Sequence, residues 1–185
     1  MRELTRTETA VPVEVWACDE HRIGLKPIVR KIWARRGCRP VAPGHQRFQW
    51  LSVYGFVRPA TGELVWYIAE GVNTALFGAL LAAFARTVGA GPEKHVIVVL
   101  DGAGWHVCRD LEIPDGVALM FLPPYSPELQ PAERRWRLTD EPIANEYFET
   151  LNDLDHVLAQ WCCTLADDQD TIQAHPPFHW WPAFN

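Results

Sequence analysis

The sequence predicts an α/β fold, a mixed sheet with helices packed on it, and three observations carry that prediction. Val13-Glu14-Val15-Trp16-Ala17-Cys18 alternates as a half-buried strand does, and two further β-branched and aromatic runs follow it. His95 to Leu100 (HVIVVL) is a continuous apolar run, the mark of a strand covered on both faces. Two stretches, one before and one well after that run, keep the apolar spacing of a helix. The order is strands first, then helix, strand, strand, helix.

Each element has its own justification. The first strand ends at Asp19-Glu20. Gln49 to Val57 and Glu63 to Ala69 are joined by Arg58-Pro59-Ala60-Thr61-Gly62, a turn sequence, and so form a hairpin. Asn73 caps the next helix, in which Phe77, Leu80, Leu81, Phe84 and Val88 share a face, and Gly89-Ala90-Gly91-Pro92 stops it. Val117 to Leu122 is a second buried strand. A last helix begins at Thr150, with Asp153 as capping-box partner, and stripes Leu151, Leu154, Leu158, Trp161 and Leu165 along one side.

Bulk properties set the bounds. With 185 residues, 48% of them hydrophobic, the chain suits one domain with a single core: residues 1–12 a lead-in, 166–185 a C-terminal tail. No run approaches the roughly 18 apolar residues of a membrane span. Met1 to Trp16 lacks the layout of a secretory signal, so the expected location is cytoplasmic. Five cysteines without a CxxC or a histidine at zinc-finger spacing are expected to be reduced packing residues. The formal charge is -6, but it is unevenly spread. His21 to Gly62 contains nine Lys and Arg and no acid, whereas Leu138 to the end contains nine acids and no Lys or Arg. The first segment reads either as a phosphate-binding face, with Arg30, Lys31, Arg35 and Arg36 at its centre, or as a surface paired with the later acids.

Three acids stand where chemistry gathers in an α/β sheet, beyond the carboxyl ends of strands. Asp19 closes the first strand, Asp101 closes HVIVVL, and Glu133 opens a helix after Leu122-Pro123-Pro124-Tyr125-Ser126-Pro127, with Pro131 suited to its first turn. Converging carboxylates repel unless cations lie between them, and hard oxygen ligands suit Mg²⁺ or Mn²⁺. A pair of such ions is the equipment of phosphodiester cleavage. Singly, each acid reads equally well as a loop, cap or helix-dipole residue. Glu20 adjoins Asp19, but consecutive strand residues face opposite ways, so one of the two is expected at the metals. His106 is expected to support the site. Trp33, Trp50, Trp66 and Trp105 are expected in the core rather than as base-stacking surfaces, and Trp180 and Trp181 to fold back on the domain.

Four blocks carry a resemblance. They are Trp16-Ala17-Cys18-Asp19-Glu20-His21-Arg22-Ile23-Gly24-Leu25-Lys26-Pro27, Trp33-Ala34-Arg35-Arg36-Gly37, Val99-Leu100-Asp101-Gly102-Ala103-Gly104-Trp105-His106, and Leu122-Pro123-Pro124-Tyr125-Ser126-Pro127-Glu128-Leu129-Gln130-Pro131-Ala132-Glu133. In this order they resemble the DDE catalytic domain of mariner-related bacterial insertion-sequence transposases, and the 31 residues between Asp101 and Glu133 suit that family. The resemblance implies an RNase H-like mixed sheet flanked by helices, with Asp19, Asp101 and Glu133 as the catalytic, metal-binding triad for two Mg²⁺ or Mn²⁺ ions. It implies DNA strand cleavage and strand transfer in transposition. Implied partners are DNA, a helix-turn-helix region on a separate segment or polypeptide, and a second copy of the chain. A nuclease without transfer activity and an inactive, domesticated DNA-binding remnant are the alternatives. Two departures stand out: Gln130 replaces the family's Asn, and Leu138-Thr139-Asp140-Glu141-Pro142 interrupts what should be a long basic helix. That interruption is expected to weaken DNA contact and fits a decayed copy.

Overall fold

The computed structural model describes residues 11–41, 44, 47–174 and 181. Five strands, β1 (Val13–Gly24), β2 (Trp50–Arg58), β3 (Glu63–Ala69), β4 (His95–Leu100) and β5 (Val117–Phe121), form one sheet in the order β3-β2-β1-β4-β5. The β1-β2 and β2-β3 pairs are antiparallel, while β1-β4 and β4-β5 are parallel. The helices are α1 (Thr74–Val88), the short α2 (Trp136–Thr139), α3 (Leu151–Asp167) and α4 (Gln169–Gln173).

Side-chain alternation along the strands builds two cores, one on each face of the sheet. Trp16 and Cys18 of β1, Tyr54 and Phe56 of β2, and Val96, Val98 and Leu100 of β4 meet Phe77, Leu81 and Phe84 of α1. The intervening residues Val15, Ala17, Val57 and Val99 meet Leu165 of α3 and Ile172 of α4, and Leu51 and Val53 meet Leu154, Leu158 and Cys162 of α3. Both long helices begin as expected. The Asn73 side chain accepts from the Leu76 N–H at 2.8 Å, and Thr150 and Asp153 form a reciprocal capping box. Trp181 is buried against Val15, Leu165 and Ile172, so the chain does fold back there, while Trp180 lies outside the described residues.

Several expectations are corrected. β1 does not end at Asp19-Glu20 but runs to Gly24, because β2 pairs with it from Ala17↔Val57 to Gly24↔Trp50. Its parallel partner β4 accompanies it only through Ala17↔Val99, so Asp19 still stands where one neighbour stops. β5 is not covered on both faces. It is the sheet's edge, and Met120 and Phe121 are exposed. The helix after Glu133 is a single 3₁₀ turn (Glu133–Arg135) running into the four-residue α2. The tail residues 169–173 form a helix rather than loose chain, with Ile172 in the core. Trp33 is fully exposed at 102%, and Trp50 carries the Arg22 guanidinium on its ring at 3.6 Å instead of entering the core.

The turn into β5 generates a test. Gly116 has φ +76°, and a Cβ there would lie 2.3 Å from the Gly91 backbone nitrogen. Gly37 shares the positive φ, at +87°, but faces open space. Gly116→Ala should destabilise the fold by about 3 kcal/mol and Gly37→Ala by about 1 kcal/mol, read as urea midpoints at equal m-value.

Candidate active site

Asp19, Asp101 and Glu133 come from β1, the end of β4 and the turn before α2, and all three line one open cleft of about 650 Å³. Glu20, His21, Gln130, Trp136 and the loop Leu122–Ser126 complete its wall. The sheet order explains the convergence. β1 and β4 are parallel neighbours, so their carboxyl ends open at the same edge, and the chain leaving β5 returns across that edge to deliver Glu133.

Each of the two strand-borne acids has one oxygen fastened by a nitrogen donor. Trp136 Nε1 donates to Asp19 Oδ2 at 2.8 Å. His106 Nδ1 donates to Asp101 Oδ1 at 2.9 Å, and the Ala103 N–H donates to the same oxygen at 3.1 Å. Asp19 is held besides by the backbone N–H of Glu20. His106 is buried, and its Nε2 lies 2.7 Å from Glu20 Oε1, which also accepts from Trp105 Nε1 at 3.2 Å. The ring therefore bridges Glu20 and Asp101. Asp19 and Glu20 take their bonds from opposite faces of the sheet, as strand alternation requires: Asp19 toward α2, Glu20 toward His106, which packs on Phe77 of α1.

The charges respond to these surroundings. Burial pushes Asp19 up to about 7; the Trp136 N–H opposes the rise, while Glu20 and Asp101 add to it. The His106 hydrogen bond holds Asp101 below the usual carboxylate range, against partial burial. Burial alone would lower His106, but its bonds to Asp101 and Glu20 raise it to about 9. Among the described residues, Glu20, Asp101 and His106 are close enough for their ligand atoms to share a cation, all within 4.8 Å. His106 already occupies both carboxylates as a charged partner, which favours a supporting part for it and for Glu20.

Gln130 shows how the changed turn is held. Its Nε2 donates to the Cys18 carbonyl at 2.9 Å, and its Oε1 accepts from the Ala132 N–H at 3.4 Å. The glutamine thus ties the Glu133 loop to β1 one residue before Asp19. Tyr125 adopts a left-handed backbone, φ 58°, that bulky residues rarely take, and its ring stands fully exposed at the cleft. The sequence reading passed over Trp136 and Tyr125. Trp136 could have been suspected from its place three residues after Glu133, one turn further along.

The basic segment does not reach the cleft wall: none of Arg30, Lys31, Arg35 and Arg36 lines it. The segment leaves β1 at Gly24 and runs without helix or strand, among its described residues, to β2. Its root is bracketed to the chain after α2. Asn145, at φ 64°, donates its N–H to the Ile28 carbonyl and accepts the Arg30 N–H on Oδ1, each at 2.9 Å. Arg30 Nη2 donates to the Arg137 carbonyl at 2.7 Å and lies 3.6 Å from Asp140. Asp140 also accepts from His21 Nε2 at 2.8 Å. The acid that interrupts the expected basic helix therefore has a defined place beside the cleft. Lys31, Arg35 and Arg36 are exposed.

The chain matches the family described as DDE superfamily endonuclease over residues 14–155. It is 37% identical over 114 residues to the uncharacterized protein y4pE/y4sA of Sinorhizobium fredii (strain NBRC 101917 / NGR234), covering 60% of this chain and 83% of that protein. Among solved structures it resembles the Mos1 mariner paired end complex with Mn, with a TM-score of 0.62 and 16% identity over 88% of this chain and 53% of that one. It also resembles the Mos1 strand transfer complex, with a TM-score of 0.55 and 14% identity over 91% and 56%. The sheet is thus RNase H-like, and the chain spans little more than half the length of the Mos1 chains it matches. Among the described residues no helix is long and apolar enough to cross a membrane.

The His106 bridge sets a pH dependence. Because its folded value, about 9, lies above the ordinary 6.5, its contribution is complete below 6.5 and lost as pH rises through 9. In metal-free buffer, the stability gap between wild type and His106→Gln should narrow by on the order of 3 kcal/mol between pH 6 and pH 9.5. Urea unfolding across that range would show it, and a gap that does not change with pH would remove the charge from His106.

Proposed function

We propose, for a chain that belongs to the DDE superfamily of endonucleases, that it is the catalytic domain of a transposase, cutting DNA strands and transferring them through Asp19, Asp101 and Glu133. The observation that carries this reading is the delivery of three acids, from three separate elements, into one open cleft. The Mos1 structures it resembles are described as a paired end complex with Mn, one with Mg, and a strand transfer complex.

The donor set fits a divalent ion. All three groups are hard oxygen ligands, and Asp19, costly to ionise where it is buried, is a carboxylate that a cation would relieve. Asp19, Asp101 and Glu133 would hold Mg²⁺ or Mn²⁺, two ions in our reading. When bound, such ions supply the Lewis acidity that activates an attacking oxygen and offsets charge at the leaving one. The chain's own residues do the rest. Trp136 and His106 orient the two strand-borne carboxylates, Gln130 fixes the loop that carries Glu133, and Asp140 sets His21 at the cleft wall. In the first step water attacks a phosphodiester at the element's end, breaking the bond to the 3′ oxygen and freeing a 3′-hydroxyl. In the second, that hydroxyl attacks a phosphodiester of target DNA in the same cleft, joining to its phosphorus as the target's bond to its own 3′ oxygen breaks and that oxygen leaves as a 3′-hydroxyl.

Lys31, Arg35 and Arg36, on a segment rooted beside the cleft by Arg30, would bind the DNA backbone without reading its sequence. Recognition of the element's ends belongs in this reading to a helix-turn-helix region, and synapsis of two ends to a second copy of the chain. The work is that of a protein acting at the nucleoid.

Three measurements test the proposal. Asp101→Asn keeps the shape but removes a ligand charge, and should abolish Mg²⁺-dependent nicking of a supercoiled plasmid; Glu133→Gln should do the same. Nicking at the wild-type rate in Asp101→Asn, sensitive to chelator, would refute the mechanism. A 3′-hydroxyl oligonucleotide joined to plasmid separates transfer from plain nuclease activity. Replacing Arg35 and Arg36 together with Ala should weaken binding to unrelated duplexes alike and make the salt slope shallower by about 2, each lost phosphate contact releasing fewer counterions. An unchanged slope with a lowered melting temperature would assign those arginines to the folded surface instead.

A further inference from the structure

We propose that Trp136 is a positioning residue that sets the placement of Asp19 relative to Glu133, an inference that rests on the carboxylate site described above. Trp136 is bonded toward both acids. Its indole Nε1 donates to Asp19 Oδ2 at 2.8 Å, and its backbone N–H donates to the carbonyl of Glu133. Asp19 lies on the sheet, while Glu133 rides on the turn laid over one of its faces; Trp136 links the two.

The ring is wedged so that this link is stiff. The His21 imidazole stacks on it at 5.0 Å with an interplanar angle of 18°, and Trp66 leans against it at 5.8 Å. Beneath it lies Gly55, the residue directly across from Asp19 in the β1-β2 register. A Cβ at Gly55 would meet Trp66 Cζ3 at 2.6 Å and Trp136 Cη2 at 3.0 Å. The strand position opposite the acid is therefore kept free of a side chain, and the two tryptophan rings fill that space. His21 is in turn held by Asp140, so the ring is braced from β1, β2 and β3 and from the chain after α2. A tryptophan placed for packing alone would not need its one polar atom on the carboxylate. Trp66 Nε1, in the same cluster, is buried without a hydrogen-bond partner.

The consequence is that the Asp19 carboxylate is held, through Oδ2, at a set orientation to the turn bearing Glu133. Loss of the N–H frees the carboxylate to rotate, and pre-organisation of the site for a cation falls. Trp136→Phe removes the donor and keeps the ring. Gly55→Ala keeps every cleft side chain and pushes the ring from its seat. The full chain, stripped of metal, is titrated with Mn²⁺ and free ion is counted by electron paramagnetic resonance; melting curves report the fold, and plasmid nicking is resolved into kcat and KM for DNA. Trp136→Phe should melt within a few degrees of wild type, weaken Mn²⁺ binding about tenfold and lower kcat with KM little changed. Gly55→Ala should weaken Mn²⁺ binding in the same direction, and it decides the matter should Trp136→Phe not fold. Mn²⁺ affinity within twofold of wild type in a folded Trp136→Phe overturns the inference. Asp101→Asn serves as the reference. If it loses Mn²⁺ while Trp136→Phe does not, the part given to Trp136 fails and the carboxylate site stands; if Asp101→Asn binds Mn²⁺ as wild type does, the site itself fails and the inference with it.

Discussion

Four carboxylates, Asp19, Glu20, Asp101 and Glu133, line one cleft and repel each other, and for three of them the surroundings answer that repulsion with nitrogen donors rather than with a fixed lysine or arginine among the acids. Asp101 is met by His106 and a backbone N–H, Glu20 by His106 and Trp105, and Asp19 by Trp136. The three acids are not treated alike. Asp101 gains a charged partner and stays ionised, whereas Asp19 gains a neutral donor that does not offset its burial and is held up to about 7. A neutral indole orients a carboxylate without cancelling its charge, so the charge stays available to a cation. A lysine in its place would orient and neutralise together, and would compete with the metal for the same oxygen.

The packing serves this arrangement from both faces of the sheet. Alternation along β1 sends Glu20 toward α1 and Asp19 toward α2, so their supporting groups are drawn from different layers. On one face His106 is buried against Phe77, with ring centroids 4.4 Å apart, and the first core continues through Phe84 and Trp16. On the other, Trp136 lies within the core that α3 covers with Leu154, Leu158 and Cys162. Disturbing either core therefore moves one acid and not the other.

Legibility followed the range of the interaction. β4, the hairpin turn with Gly62 at φ +77°, the Asn73 cap and the Thr150–Asp153 box all rest on neighbours within a few residues, and the sequence displays them. The length of β1 depends on how far β2 pairs with it, a fact settled some thirty residues downstream, so Cys18 seemed to end a strand that continues to Gly24. β5 read as buried because its residues are apolar, yet an edge position is decided by sheet order and not by composition. Asp19, Asp101 and Glu133 were legible from the four blocks of resemblance taken in order rather than from strand ends, since β1 runs on past Asp19 to Gly24. Their donors were not, apart from His106, since Trp136 to Asp19 and Gln130 to Cys18 each cross more than a hundred residues.

The same distinction bears on the contradiction between a chain of net charge -6 and a nucleic-acid partner. If the nine acids after Leu138 neutralised the basic segment, the asymmetry in sequence would vanish in space. Two of them have local duties, Asp153 completing the capping box of α3 and Asp168 capping α4 by accepting the Thr171 N–H, while Asp140 holds His21 and pairs with Arg30 of the basic segment. Of Arg30, Lys31, Arg35 and Arg36, only Arg30 is in an ion pair among the described residues, and it stands at the root of the segment, where the pair anchors the chain to the cleft wall. The exposed Lys31, Arg35 and Arg36 lie beyond that anchor. Charge is thus consumed where the segment must be fixed and left available where it meets solvent, and a phosphate backbone close to it is attracted by that local field, because salt at physiological strength largely screens charges farther away than about 8 Å.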